Sequence, residues 1–305
     1  MAALKAIKSK IKSVEKTQKV TKAMEAVSAA KMRKAQQKAL SGRAYARAAA
    51  AILARTSGSR ELASHPLTEA RAVEKALYIV ITSDKGLAGA LNSAVLRATL
   101  ADINAQHLAP SQVGIVAVGR KANDFFAVRG FAIAAFHANT DQVSSELLES
   151  LVHDAADRYM QGEVDAVKIA YQNFVSTFEQ RPTLRTIFPL SLDELQQVVS
   201  DILPARGVYA ASQEAIESPA TYSVEPSEGE VLSAILPRLA SIFVYHALLE
   251  TQASEHSARM VAMKSASDKA GEMRRTLTIK FNKARQAVIT REVSEITGGM
   301  EAMAA

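Results

Sequence analysis

Cysteine is missing from all 305 residues, which rules out disulfides, zinc–thiolate sites and thiol chemistry. A reducing compartment fits that absence. Tryptophan is missing too and aromatics make up only 5% of the chain, although 48% is hydrophobic. The apolar content is therefore small and aliphatic, alanine above all, which suits close helix–helix contact and high helix propensity. No run of about 18 consecutive apolar residues occurs, so no membrane span is expected. The early cations are Lys5, Lys8, Lys10, Lys12, Lys16, Lys19 and Lys22, all lysines where import presequences favour arginine, and no apolar signal core accompanies them. A mature, cytosolic-type chain is the expectation.

Proline and glycine are scarce at both ends. Ala2–Thr56 holds no proline and one glycine, Gly42, and Arg238–Thr297 holds no proline and one glycine, Gly271. An unbroken helix over the latter would span roughly 90 Å at about 1.5 Å per residue. Two long helices at opposite termini, with a compact body between them, predict a shaft carrying a side domain. Leu4, Ile7, Ile11 and Val14 step by three and four, and Gln18, Thr21, Glu25, Ser28 and Met32 continue the register in polar form, a coiled-coil seam. Val20, Met24 and Val27 make a second stripe on a neighbouring face, so one partner helix does not account for the whole segment. Thr56–Ser59 is read as the stop.

The long C-terminal helix is predicted to start at Ser227 or Glu228, with Ser227 and Glu230 in capping-box spacing. Leu232, Ile235, Leu236, Leu239, Ile242, Phe243, His246 and Leu249 form a wide apolar stripe broken by His246, and Pro237 is expected to bend or interrupt the first turns. Met260, Met263, Met273, Leu277, Phe281, Ala284 and Val288 continue a thinner stripe.

Between the helices, strands are predicted over Ala76–Thr82, Val113–Gly119, Phe131–Phe136, Ala166–Phe174 and Leu184–Leu190, the last two joined by a turn around Gln180–Pro182. Helices are predicted over Ser93–His107, Arg120–Arg129 and Val143–Met160. This alternation argues for an α/β domain with a mainly parallel sheet. The divisions read from the sequence are an N-terminal helix over 1–58, the α/β domain over 72–192, an irregular connection over 193–227 and the C-terminal helix over 228–305.

Net charge is +6, unevenly placed. Residues 1–47 carry 13 Lys/Arg against 2 Asp/Glu, residues 259–305 carry 9 against 5, and the middle carries 15 against 24. Basic ends suit an acidic partner, whether nucleic acid, anionic lipid or acidic protein. Lys31, Arg33, Lys34, Lys38, Arg43 and Arg47 read as a solvated face or as a contact for an acidic surface.

Chemistry-bearing motifs are few. Ser83–Asn92 (SDKGLAGALN) follows a strand and precedes a helix, where glycine-rich loops hold phosphates, but Gly86 and Gly89 do not make the G-x-G-x-x-G spacing and no Lys-Ser/Thr ending is present. A tight turn, with Asp84 and Lys85 in local turn chemistry, is the better reading. The six histidines, His65, His107, His137, His153, His246 and His256, show no metal-ligand spacing. No catalytic residue, cofactor site or metal site stands out. Ile296–Ala305 reads as a frayed tail, or as a smooth helix tip seated in an apolar sleeve.

Thr17–Gln36 (TQKVTKAMEAVSAAKMRKAQ), Ser83–Asn92 and Ala253–Ile296 (ASEHSARMVAMKSASDKAGEMRRTLTIKFNKARQAVITREVSEI) together resemble the gamma subunit of F-type ATP synthases, in order and over nearly the whole chain. The resemblance implies an antiparallel coiled coil of the terminal helices beside a Rossmann-like α/β domain. It implies a non-catalytic rotor, standing in a ring of alpha and beta subunits and resting on the epsilon subunit and the c-ring. Proton flow would turn it, and it would cycle the beta subunits that make ATP, reversibly. It implies head contacts at Met24, Lys31, Arg33, Arg259, Gln286, Thr290 and Glu292, and contacts near the c-ring or epsilon at Tyr222 and Glu225. No cofactor and no nucleic acid is implied; membrane association would be peripheral and indirect, through the c-ring, on the cytoplasmic face of a bacterial inner membrane. The chain departs from many relatives in lacking a cysteine in its GLAGAL turn, in lacking the cysteine-bearing insertion of chloroplast forms, and in carrying Gly298 and Gly299. A basic coiled-coil binder of nucleic acid, a structural protein and a nucleotide-binding α/β enzyme are the rival readings.

Overall fold

The computed structural model describes residues 2–41, 62, 64–140, 145–190 and 227–304. Two compact units divide it, Met1–Ala30 with Arg259–Ala305, and Lys31–Ala258. The expected stop at Thr56–Ser59, residues 193–226 of the expected connection, and Arg43, Arg47, Tyr222 and Glu225 lie outside the described residues.

In the second unit, strands β1 (Ala76–Ile81), β2 (Val113–Val118), β3 (Ala132–His137), β4 (Ala166–Phe174) and β5 (Gln180–Phe188) form one sheet in the order β3-β2-β1-β4-β5. The β1–β2, β1–β4 and β2–β3 pairs are parallel and only β4–β5 is antiparallel. Every residue of the central strand β1 is buried, as a near-continuous apolar run in a doubly covered sheet requires. Its side chains alternate between two cores. Leu77, Ile79 and Ile81 face one with Leu148, Val152 and Tyr159 of α4 (Ser145–Met160); Tyr78 and Val80 face the other with Val95 and Ile103 of α2 (Leu91–Ala105) and Phe126 of α3 (Arg120–Ala127). Each such buried side chain stabilises the fold by roughly 1.5–3 kcal/mol.

The turn into α3 needs glycine. Gly119 has φ 104°, and a Cβ there would lie 2.1 Å from the Thr82 carbonyl oxygen. Thr82 Oγ1 in turn accepts the Ala122 amide at 2.9 Å, satisfying a donor of the first turn of α3.

The β4–β5 hairpin departs from expectation. Its turn is at Ser176–Glu179, closed by mutual backbone hydrogen bonds, and β5 already begins at Gln180. Pro182 sits inside β5, opposite Gln172. The edge position permits this, since a proline whose nitrogen faces away from the ladder gives up no hydrogen bond.

The long helix α5 (Glu228–Ala304) contributes to both units. Ser227 Oγ accepts the Glu230 amide at 3.3 Å, the predicted N-cap. The helix continues through Pro237 without interruption, because Leu232, Leu236, Leu239, Phe243 and Leu248 on either side are held in the α/β core. Part of α5 is long and apolar enough to pass as a membrane span on length and composition alone. That apolarity is accounted for by the same core face. His246, on this stripe, is half-buried 3.6 Å from Glu250. Gly298 and Gly299 lie within the helix, which extends to Ala304.

Helix α1 (Ala2–Ser41) reaches past the first unit, in which its part up to Ala30 and α5 from Arg259 run antiparallel. A Cβ on Gly271 would lie 3.0 Å from Gln18 Nε2, while Arg274, three residues on, acts on Glu15, three residues back. The predicted seam residues of α1 from Leu4 to Ser28 are all withdrawn from solvent, with Thr21 and Ser28 buried. Opposite, Met263, Ser267 and Ala270 are buried, and Leu277, Phe281, Ala284 and Val288 are partly covered. Met273 is off the seam and 51% exposed, which corrects its place in the stripe. Small residues take the middle of the interface, so the helices meet there through Gly271, Ala270 and Ser267 rather than through large knobs.

Candidate functional site

The head-contact positions named from the sequence fall on both helices. Met24 is partly covered on α1, between Val20 and Val27, which are 58% and 56% exposed. The three step by four and three residues along a face that the seam leaves open, as the second stripe required. Gln286, Thr290 and Glu292 are exposed on α5. Beside them, Ile289, Val293, Ile296 and Met300 form an exposed apolar row at helical spacing, which sequence reading missed although its period is plain. Lys31 and Arg33 are exposed, in the other unit. Arg259 is only 8% exposed, so the chain's own atoms cover most of it.

A second constellation lies in the α/β unit, where doubly wound sheets receive ligands: beyond the carboxyl ends of the strands. Here the chain fills that place itself. β1 pairs with β4 only as far as Ala170. Beyond it, the Gln172 amide donates to Thr251 Oγ1 at 3.2 Å and Ser254 Oγ donates to the Gln172 carbonyl at 3.4 Å, both from α5. Gln252 Nε2 donates to Asn139 Oδ1 at 3.1 Å and to the Thr140 carbonyl at 2.8 Å, and Asn139 Nδ2 donates to the Thr82 carbonyl at 2.8 Å. Ser257 Oγ donates to the Thr177 carbonyl at 2.6 Å, at the hairpin turn. All seven residues Thr251–Ser257 are buried, an uncommon state for so polar a helical stretch.

The Ser83–Asn92 turn is tied internally. Asn92 accepts the Ser83 amide at 3.0 Å and donates to Ser83 Oγ at 2.7 Å; Asp84 Oδ1 accepts the Arg120 amide at 2.9 Å. Gln172 Nε2 donates to the Leu91 carbonyl at 2.7 Å, linking this turn to β4. Ser83 and Asn92 thus serve the turn itself, and Asp84 ties it to the start of α3. Among the described residues, no group of three or more His, Asp or Glu side chains could hold a metal ion.

A family model for ATP synthase matches residues 3–303. The ATP synthase gamma chain of Staphylococcus epidermidis is 35% identical over 304 residues, covering 99% of this chain and all of that one. The chain belongs to the ATP synthase gamma-chain family. Two solved structures share its fold. One, from the Euglena gracilis mitochondrial ATP synthase (OSCP/F1/c-ring, rotational state 3), has a TM-score of 0.66 at 18% identity and covers 99% of this chain and 95% of its own. The other, from the Tetrahymena thermophila mitochondrial ATP synthase central stalk and c-ring, has a TM-score of 0.57 at 23% identity and covers 81% of this chain and 99% of its own.

This gamma-family domain also encloses a polar network under α2. Tyr78 donates its hydroxyl to Asp102 Oδ2 at 2.6 Å, Gln106 Nε2 reaches the same oxygen at 2.7 Å, and Lys168 Nζ reaches it at 2.9 Å. Burial, then the Asp102 carboxylate, pushes the Tyr78 hydroxyl's pKa far above its ordinary value. Tyr78 and Lys168 are register partners on β1 and β4, so sheet pairing itself brings them together. In the helical unit of this gamma-family chain, Lys19 at 3.0 Å holds the Glu15 carboxyl below the usual carboxylate range.

Proposed function

We propose that this chain is the non-catalytic central rotor of a proton-translocating F-type ATP synthase. It transmits rotation of a c-ring to the catalytic beta subunits, which carry the ATP chemistry, and runs in reverse as an ATP-driven pump. One observation carries the reading: the paired helices leave two apolar rows facing outward, exposed Val20 and Val27 flanking a partly covered Met24 on α1, and exposed Ile289, Val293, Ile296 and Met300 on α5. Shallow rows suit a sleeve that must let go. Deep, desolvated anchors would hold an interface shut.

In this reading Met24, Gln286, Thr290 and Glu292 meet the alpha–beta head, and Lys31 and Arg33 face acidic levers of beta. Arg259, largely enclosed, acts on the head through the residues that hold it. Tyr222 and Glu225 belong to the foot, toward epsilon and the c-ring. The chain is peripheral to the membrane, on the cytoplasmic side of a bacterial inner membrane, and held there through the c-ring.

The test is assembly. The purified chain is expected to hydrolyse no ATP, to co-elute with alpha and beta, and to lose that association when Val20 and Val27 are both changed to Asp. Robust turnover by the chain alone, or tight DNA binding with a steep salt dependence, would overturn the reading.

A further inference from the structure

We propose that Thr251–Ser257 is the torque anchor of the rotor: a hydrogen-bonded clamp that fixes the rotational setting of α5 in the α/β domain, so that load on the helix is not lost as slip. This rests on the rotor reading and adds to it the element that makes the rotor stiff.

The apolar stripe from Leu232 to Leu248 binds α5 to the core, but apolar burial is non-directional and tolerates small rotations. The polar segment is directional. Thr251, Gln252, Ser254 and Ser257 engage backbone groups of Gln172, Thr140 and Thr177 and the side chain of Asn139. At about 100° per residue, these four side chains project over more than half the helix circumference. Their partners lie on a strand, on a hairpin turn and on the chain after β3, so no single rotation of α5 preserves all the bonds. All four side chains are buried, and the two bonds to Gln172 are fully enclosed, where a broken bond is not replaced by water.

The position agrees with the role. The segment ends at Ser257, and from Arg259 onward α5 belongs to the helical unit. It also fills the gap past Ala170 where β1 no longer pairs with β4, so the helix completes the sheet's hydrogen bonding.

The experiment uses the whole complex in sealed vesicles, with the triple variant Thr251→Val, Ser254→Ala, Ser257→Ala. ATP hydrolysis is expected to stay close to wild type when the proton gradient is collapsed, while pumping per ATP falls progressively as an opposing gradient builds. Thr251→Ser, which keeps the hydroxyl, is expected to pump as wild type. In the isolated chain, the Gln172 amide is expected to exchange about tenfold faster while the β1 amides stay protected. Should the triple variant not fold, Ser257→Ala alone is read in the same way. Equal losses of hydrolysis and pumping at every gradient, or no loss under load, would overturn the anchor. A wild-type complex that pumps no protons would instead overturn the rotor reading.

Discussion

Gln18 of α1 lies against Gly271 of α5, so close that a methyl group on Gly271 would sit 3.0 Å from the Gln18 amide nitrogen. The crowded atom is the far end of a flexible side chain and can swing away. Gly271→Ala is therefore expected to be neutral to stabilising by up to about 1 kcal/mol, the helix-propensity gain over glycine. Gly271→Leu, which forces the helices apart, is expected to cost about 1–3 kcal/mol. Thermal melts of the two variants give opposite signs if the close approach is as described.

Gly119 faces backbone rather than a side chain. Both its positive φ and the Thr82 carbonyl, 2.1 Å from a would-be Cβ, forbid a substituent. Gly119→Ala is expected to cost more than about 3 kcal/mol and to leave the chain largely unfolded. A urea midpoint within error of wild type would refute the geometry.

The Tyr78 hydroxyl has its pKa raised above 10.0 in the fold, chiefly by burial. The folded state thus keeps a proton that the unfolded chain releases above about pH 10. Stability is fully present below that pH and declines as pH rises beyond it. Tyr159, raised for the same first reason, adds to the decline. Urea midpoints at pH 9 and pH 11 are expected to differ less in Tyr78→Phe than in wild type, and least in the double variant with Tyr159→Phe.

Pro237 has no amide to donate into α5, which runs on regardless. Pro237→Ala is expected to raise stability by about 1–3 kcal/mol, since the rest of the helix is already in place to accept the restored bond. A lowered melting temperature would mean that the proline ring contributes packing the helix needs.

Much was legible in the residues alone. The three-four spacing from Leu4 to Ser28 specified the seam, because only one face of a helix can be withdrawn from water at that period. The β-branched run Ala76–Thr82 specified a buried strand, found over Ala76–Ile81, and β4 was placed at its true ends. Met273 was misplaced because a methionine at seam-like spacing counts as apolar whatever it faces, whereas the interface there is made by Ala270 and Gly271. The hairpin turn was set too late because Pro182 is a turn signal locally. Only the sheet order makes β5 an edge that accepts it.

Sequence by itself determined which segments are helices, which are buried strands, and that two long helices share a seam: periodicity is a local property, carried by each stretch independently. Tertiary structure decided that Arg259 is covered, that Tyr78 and Lys168 meet on Asp102, and that Thr251–Ser257 occupies the ligand end of the sheet. The last two outcomes join residues 24 to 79 positions apart, and hydrogen-bond partners at such separations follow from how the elements pack, not from any spacing along the chain.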